Sequence, residues 1–324
     1  MHTPPEEHPV RAALSFHNIS AIYIFVIMFI VFSVWIPEKF LQPGVWRSLL
    51  DAEALTGLAA IAALLPLVAG SLNLAVGAQV GFCAILSAFL LSKAGLPIAL
   101  QLPAVVLAGA LIGYLTALVI TRLRVEPIIA TLGMSSVLLA GMAWVSGSQQ
   151  ILDLGPDYRR IATTQFGGVT VPVYVLLVVA VVTWYVLERT PVGRRMYAAG
   201  YNPEAARLAG VDVARLKTGT LVAGGAIAAL AGALLTSRIN AGDPTVGPSF
   251  LLPALTAVFL GSTQFRRGRF NVWGTLVAMY VLAVGIKGLQ LGGSPRWVND
   301  LFYGLALLLA VALSQWEKRS ARRR

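Results

Sequence analysis

Ten apolar runs divide the chain, most of them close to the ~20 residues that a helix needs to cross a bilayer. They lie near 19–36, 53–70, 76–93, 96–120, 127–146, 171–188, 218–237, 250–264, 271–290 and 297–316. The eighth is short, as a half-helix or re-entrant segment would be, so the expectation is about ten transmembrane helices. Polar positions collect in the gaps between runs. The gap at 147–170 holds Gly147, Gly155, Pro156 and the Gly167–Gly168 pair, the turn chemistry of an ordered cap. The gap at 189–217 is arginine-rich. The pattern predicts an all-α, polytopic membrane domain over 19–316, between a polar tail at 1–18 and a basic tail at 317–324. The first run follows a polar stretch without a small-residue cleavage site, so it is expected to be an anchor rather than a removed signal.

Composition supports the membrane reading. The chain is 57% hydrophobic and 12% charged, whereas a soluble domain carries about 25% charged residues to keep its surface wet. An ordinary soluble fold is excluded. The net charge of +11 could point to nucleic acid, but the basic residues sit between apolar runs, where they orient helices in lipid. Membrane lipid is therefore the expected partner, and nucleic acid is not. With residue 1 placed in the cytoplasm, the inner side receives Arg11, Arg122, Arg124, the cations of 189–217, Arg266, Arg267, Arg269 and the basic tail. The outer side receives Lys39, Arg47, Lys93, Arg159, Arg160, Arg238, Lys287 and Arg296. The bias is roughly two to one and predicts both ends inside. Cys83 is the one cysteine, and His2, His8 and His17 all lie in the tail. No intrachain disulfide and no clustered metal site is expected.

No ionisable group is expected deep inside a span. Glu188, Lys287 and Asp300 fall near span ends, with Lys287 and Asp300 as a candidate pair. That pattern counts against an ion-coupled carrier, which places a carboxylate near the midplane. An enzyme is disfavoured because H-E-x-x-H and G-x-S-x-G motifs are missing, and no G-x-x-x-x-G-K-[ST] loop is present to cradle ATP. Any ATP is thus expected on another polypeptide, and this chain is expected to hold no cofactor. The gap at 189–217 is where such a partner would touch. Within it, Asn202 can cap a short helix, Pro203 suits its first turn, Glu204 complements its dipole and Gly210 can end it. Asp212 then caps the next span. Ala205, Leu208 and Ala209 share one face beside Glu204 and Arg207. That face is small for lipid, so a protein contact is favoured over an interfacial helix.

Two other features stand out. Asn73 and Gln79 are uncharged hydrogen-bonding residues at the glycine-rich break between the second and third runs. They either face a solute or satisfy the backbone of the break. Gly77/Gly81 and Gly109/Gly113, spaced by four, predict close helix packing.

The stretch Thr190–Ala209, TPVGRRMYAAGYNPEAARLA, resembles the cytoplasmic loop of sugar-type ABC importer permeases, the ribose, xylose and galactose group. Pro127–Met134 resembles the segment that opens that family's fifth span, and Gly261–Ser262–Thr263 its small-residue motif after the eighth. Ser71–Gly77 is similar to its G-I-D-L-S-V-G signature, with Ser71, Asn73 and Ala75 where the family has Gly, Asp and Ser. Arg266 and Arg267 also depart from a glycine-rich stretch. The branched-chain amino acid permeases are near neighbours. The resemblance implies a type II importer permease translocating a small polar solute, a sugar or polyol, across the inner membrane. It implies a separate ATP-binding subunit, an external substrate-binding protein and a second permease copy. Asn202–Ala209 would then be the coupling helix, and Asn73 and Gln79 pathway residues. Arg238, Asn240 and Asp243, in the turn-rich segment 238–249, would receive the binding protein together with loop 147–170. A plain helix connector is the other reading of that segment.

Overall fold

The computed structural model describes residues 20–264, 268–295 and 297–322, with side-chain environments between 23 and 312. His2, His8, His17, Arg11, Arg266, Arg267, Arg296 and the tail at 1–18 lie outside the described residues, as do the side chains of the basic tail.

In chain order the helices are α1 (Ser20–Trp35), α2 (Pro37–Phe40), α3 (Pro43–Val68), α4 (Val76–Ser92), α5 (Ile98–Thr121), α6 (Pro127–Ser146) and α7 (Pro156–Thr163). A two-residue hairpin, β1 (Gln165–Phe166) and β2 (Val169–Thr170), leads into α8 (Val171–Arg189), α9 (Pro191–Tyr201), α10 (Pro203–Leu208) and α11 (Val213–Ile239). A 3-10 turn at Gly247–Phe250 precedes α12 (Leu251–Gly261), α13 (Val272–Leu291) and α14 (Trp297–Arg322). Each of the ten apolar runs coincides with one helix. Among the described residues six helices are long and apolar enough to cross a membrane, namely α3, α5, α6, α8, α11 and α13. Four shorter apolar segments accompany them, at Tyr23–Trp35, Val76–Ser92, Gly247–Gly261 and Trp297–Ala312. The chain is a multi-pass membrane protein.

The core is built around α3, buried almost without interruption from Ala54 to Val68. Small residues let α11 approach its neighbours backbone to backbone, since lipid tails supply no hydrophobic drive and helices must associate by close contact. A Cβ added at Gly113 would stand 2.2 Å from the Leu221 carbonyl oxygen, and one at Gly225 would stand 2.2 Å from that of Gly109. Gly109 and Gly113 therefore serve helix packing. Gly77 and Gly81 do the same against Gly247, at 2.9 and 2.7 Å for an added Cβ. In contrast α5, α6 and α8 expose large apolar side chains such as Leu107, Trp144 and Val178.

The loop 147–170 is an ordered cap, as its turn residues predict. Tyr158 of α7 reaches inward, where its hydroxyl pairs with Ser87 of α4 at 2.6 Å and donates to the Ala233 carbonyl of α11 at 2.8 Å. Burial pushes this phenol up to about 12, so it stays neutral and available as a donor.

The structure corrects the sequence reading at α3. The helix starts at Pro43, ten residues before the hydropathy rises, because proline suits the first helical position and Gly44, Arg47 and Ser48 fit its exposed first turns, with Asp51 and Glu53 half-buried after them. Glu53 consequently lies within a membrane helix, beside Thr56 and facing Arg238 and Lys287. Glu53 stands at the polar end of the apolar run, so the expectation concerning groups deep inside a span is not tested by it. The expected pair of Lys287 and Asp300 does not form: among the described residues no ion pair joins them, and the Glu53 carboxylate lies within electrostatic reach of Lys287. Glu188 pairs with Arg269 at 3.7 Å.

Candidate functional site

The segment between α8 and α11 is folded rather than looped. Thr190 caps α9, accepting from the Gly193 N–H at 3.3 Å, with Pro191 at the first position. Gly200, near the end of α9, lies against the chain just after α3. An added Cβ there would come within 2.2 Å of the Val68 carbonyl oxygen, and Gly70 faces the Gly200 backbone in return. Asn202 caps α10 by accepting the Ala205 N–H at 3.0 Å, and Pro203 opens the helix. Gly210 ends it in the left-handed region at φ +79, with the Val211 N–H returning to the Ala206 carbonyl at 2.9 Å. Asp212 then caps α11 through the Arg215 N–H at 2.9 Å.

Ala206 is the residue that anchors α10, buried with Ala199 and Val213. Ala205 and Ala209 are exposed on the other side. Leu208, 91% exposed, is the most exposed large apolar side chain described. Glu204 and Arg207 form no ion pair with each other, and Arg207 lines one cavity with Lys217 of α11.

The break between α3 and α4 holds the predicted pathway residues together. Asn73 and Gln79 are buried, and the Asn73 Nδ2 donates to Gln79 Oε1 at 3.2 Å. Asn73 Oδ1 accepts the Ala75 N–H at 3.0 Å and so satisfies the backbone of the break. The Gln79 Nε2 and the Ser71 Oγ remain buried without a hydrogen-bond partner. Thr131 of α6, from the Pro127–Met134 motif, reaches the Leu72 carbonyl at 3.4 Å.

Segment 238–249 and loop 147–170 come together, as the turn-rich sequence anticipates. Ile151 and Gly242 exchange backbone hydrogen bonds of 2.9 and 2.8 Å, and the Gln150 Nε2 donates to Asp243 at 2.8 Å. The segment does not stay at one level, however. Gly242 lies against Ala88 and Gly247 against Gly77 and Gly81. It thus descends beside α4 by about 10–16 Å at 1.5 Å per residue. The brevity of α12 follows, because the helix begins only after this descent. Arg238 turns inward, donating to the Asp51 carbonyl at 2.9 Å, and Asn240 takes a left-handed backbone at φ +53. Burial raises the Asp243 carboxyl, but hydrogen bonds from Thr245 and Gln150 outweigh it and hold the group below the usual carboxylate range. Both charges thus have internal partners. Gly261–Ser262–Thr263 forms the corner into α13, tied by the Asn271 Nδ2 to the Gly261 carbonyl at 3.3 Å.

Hydropathy alone hides the Asp51–Glu53 end of α3, although Pro43 is the available signal for where that helix starts. Ala206 has no signal at all in the sequence, because one alanine among several carries no mark of being the inward one.

The family model described as branched-chain amino acid transport system / permease component matches residues 48–311. The chain belongs to that family. Three curated relatives are similar to this permease along most of their length. The fructose import permease protein of Rhizobium meliloti is 32% identical over 310 residues, covering 92% of this chain and 85% of that protein. The ribose import permease protein of Bacillus subtilis (strain 168) is 33% identical over 300 residues, covering 91% of each. The autoinducer 2 import system permease protein LsrD of Photorhabdus laumondii is 30% identical over 261 residues, covering 79% of this chain and 78% of that protein. No solved structure matches the chain.

Proposed function

We propose that this chain is the membrane subunit of an ATP-driven ABC importer for a sugar-type solute. The observation that carries the reading is α10, a short helix capped at both ends, anchored inward by Ala206 and presenting Leu208 outward. Leu208 with the exposed Ala205 and Ala209 gives this rigidly mounted helix a small apolar face, which a groove in a partner would cover. Relatives named for fructose, ribose and autoinducer 2 import favour a sugar or sugar-like solute over a branched-chain amino acid.

In this reading the ATP is held by a separate subunit that seats α10, from Asn202 to Ala209, as a coupling helix. Only Ala209–Asp212 separates α10 from α11, so motion of the ATPase tilts α11 with little slack. Motion also reaches the break at Gly70 through Gly200, next to Asn73 and Gln79, which we assign to the solute pathway. An external substrate-binding protein docks over loop 147–170 and the start of segment 238–249, near Arg238, Asn240 and Asp243. A second permease copy completes a two-fold type II arrangement, with about ten spans and both ends on the cytoplasmic side of the inner membrane.

The test is Leu208→Asp, reconstituted with its ATP-binding subunit and binding protein. A carboxylate forced into an apolar groove without a partner costs several kcal/mol (~3–5). Uptake and substrate-stimulated ATP hydrolysis should both collapse while membrane insertion is unchanged. Wild-type values for both would place the contact elsewhere.

A further inference from the structure

Where α5 ends and α6 and α11 begin, a cavity of about 590 Å³ opens at the side of the molecule. Its walls carry Arg124 from the α5–α6 turn, Arg207 from α10 and Lys217 from α11, with Glu126 as their one carboxylate. Asp212, close by in sequence, is committed to Arg215 at 3.0 Å. Among the described residues no acidic group forms an ion pair with Arg124, Arg207 or Lys217. Lys217 is half-buried on the wall it shares with the exposed Arg207, so two like charges face one cavity. Such an arrangement is stabilised by an anion between the cations. Helix α6 adds to the field, since its first turn opens at Pro127 without a side-chain cap. Arg124 takes its place on the wall from a left-handed backbone at φ +57, a conformation uncommon for a bulky residue.

The surroundings of the cavity distinguish among anions. Leu123, Ile128, Ile129 and Leu132 are all exposed next to it and continue as an apolar strip along α6. A free anion would use the cations alone, whereas a phospholipid uses the cations for its phosphate and the strip for its acyl chains. Cationic pockets between membrane helices are general sites for such headgroups. We propose that this cavity binds the phosphodiester headgroup of an anionic phospholipid. Because Arg207 belongs to α10 and Arg124 to the α5–α6 turn, the bound headgroup braces α10 against the helices beside it.

Binding of lipid to the full-length permease alone tests this, independently of import. The protein in detergent is offered equal phosphatidylglycerol and phosphatidylcholine and examined by native mass spectrometry. Phosphatidylglycerol should be retained in preference, and Arg124→Asn and Lys217→Gln should each reduce that retention about fivefold, the effect of one cation at a membrane surface. Asparagine tolerates the left-handed backbone at 124, and Lys217→Arg should retain the lipid. Inorganic phosphate at millimolar concentration should leave the lipid in place. Equal retention of the two lipids by the wild type would overturn the proposal even if a variant failed to fold. So would folded Arg124→Asn and Lys217→Gln variants that bind phosphatidylglycerol like the wild type. If phosphate displaces the lipid, and stabilises the wild type but neither variant, the occupant is a free anion and the lipid assignment is wrong.

Discussion

Inside the break between α3 and α4, Gln79 has its oxygen bonded to Asn73 and its nitrogen unmatched. A buried donor without a partner costs about 1–3 kcal/mol; Asn73 already supports the backbone at Ala75, so under the proposed function the Gln79 donor is the group a hydroxyl-bearing solute would meet. Gln79→Leu keeps the volume and removes the unmatched donor. Because it also takes the acceptor from Asn73 Nδ2, it exchanges one buried unmatched donor for another, so the two costs roughly offset. If a solute uses that donor, uptake should fall about fivefold to tenfold, one hydrogen bond's worth, while thermal stability in detergent holds. Loss of stability with uptake per folded molecule unchanged would make Gln79 a structural residue. Residue chemistry is partly legible in the sequence: the amides stand out against an apolar background, and Asn202, Pro203, Gly210 and Asp212 mark the ends of α10 and the start of α11 by local hydrogen-bonding rules that need no tertiary context. That Arg207 and Lys217 line one cavity is not legible, because only the placement of α11 beside α10 brings them together.

At the scale of elements, packing rests on backbone contacts at small residues. Gly113→Val would drive a branched side chain into the Leu221 carbonyl, 2.2 Å from the added Cβ. Backbone cannot give way as a side chain can, so α5 should separate from α11 at a cost of about 1–3 kcal/mol or more. Gly219→Ala, on the same helix α11 with open space around it, should be neutral or stabilising by up to about 1 kcal/mol through helix propensity. Thermal unfolding of the two variants in one detergent checks the contrast, and equal melting would deny the close approach. Spacing by four announces these glycines as packing residues. It does not announce their partners, which are far away in the chain. The start of α3 shows the opposite limit: hydropathy locates the apolar part of the helix and misses its polar first turns.

Across the whole molecule, Glu53 of α3 lies within electrostatic reach of Arg238 of α11 and Lys287 of α13, though among the described residues no ion pair joins it to either. Glu53→Gln would remove the carboxylate whose field reaches both cations. Because these groups keep partial access to solvent, the expected loss is on the order of 1–2 kcal/mol, well below the value for a fully buried pair. Adding Lys287→Met should recover part of it. Melting temperatures of the single and double variants provide the check, and additive losses would show that Glu53 and Lys287 do not interact. The same scale holds the meeting of the two irregular segments, where the end of the descent from Gly242 to Gly247 reaches α4 next to the break at Ser71–Ala75. Irregular backbone this deep is tolerated only where protein or a wet cavity covers it.

The sequence by itself determined the class of the protein: ten apolar runs, all-helical, embedded in lipid, with a short capped helix between α9 and α11. Those properties follow from composition, period and caps, which act over a few residues. Only the tertiary structure decided that Glu53 faces Lys287 and Arg238, that segment 238–249 descends beside α4, that Gln79 keeps an unmatched donor and that three cations from separate segments share one cavity. Each of these depends on which distant helices lie side by side, and in a membrane that choice is made by the close fit of small residues, which local pattern does not encode.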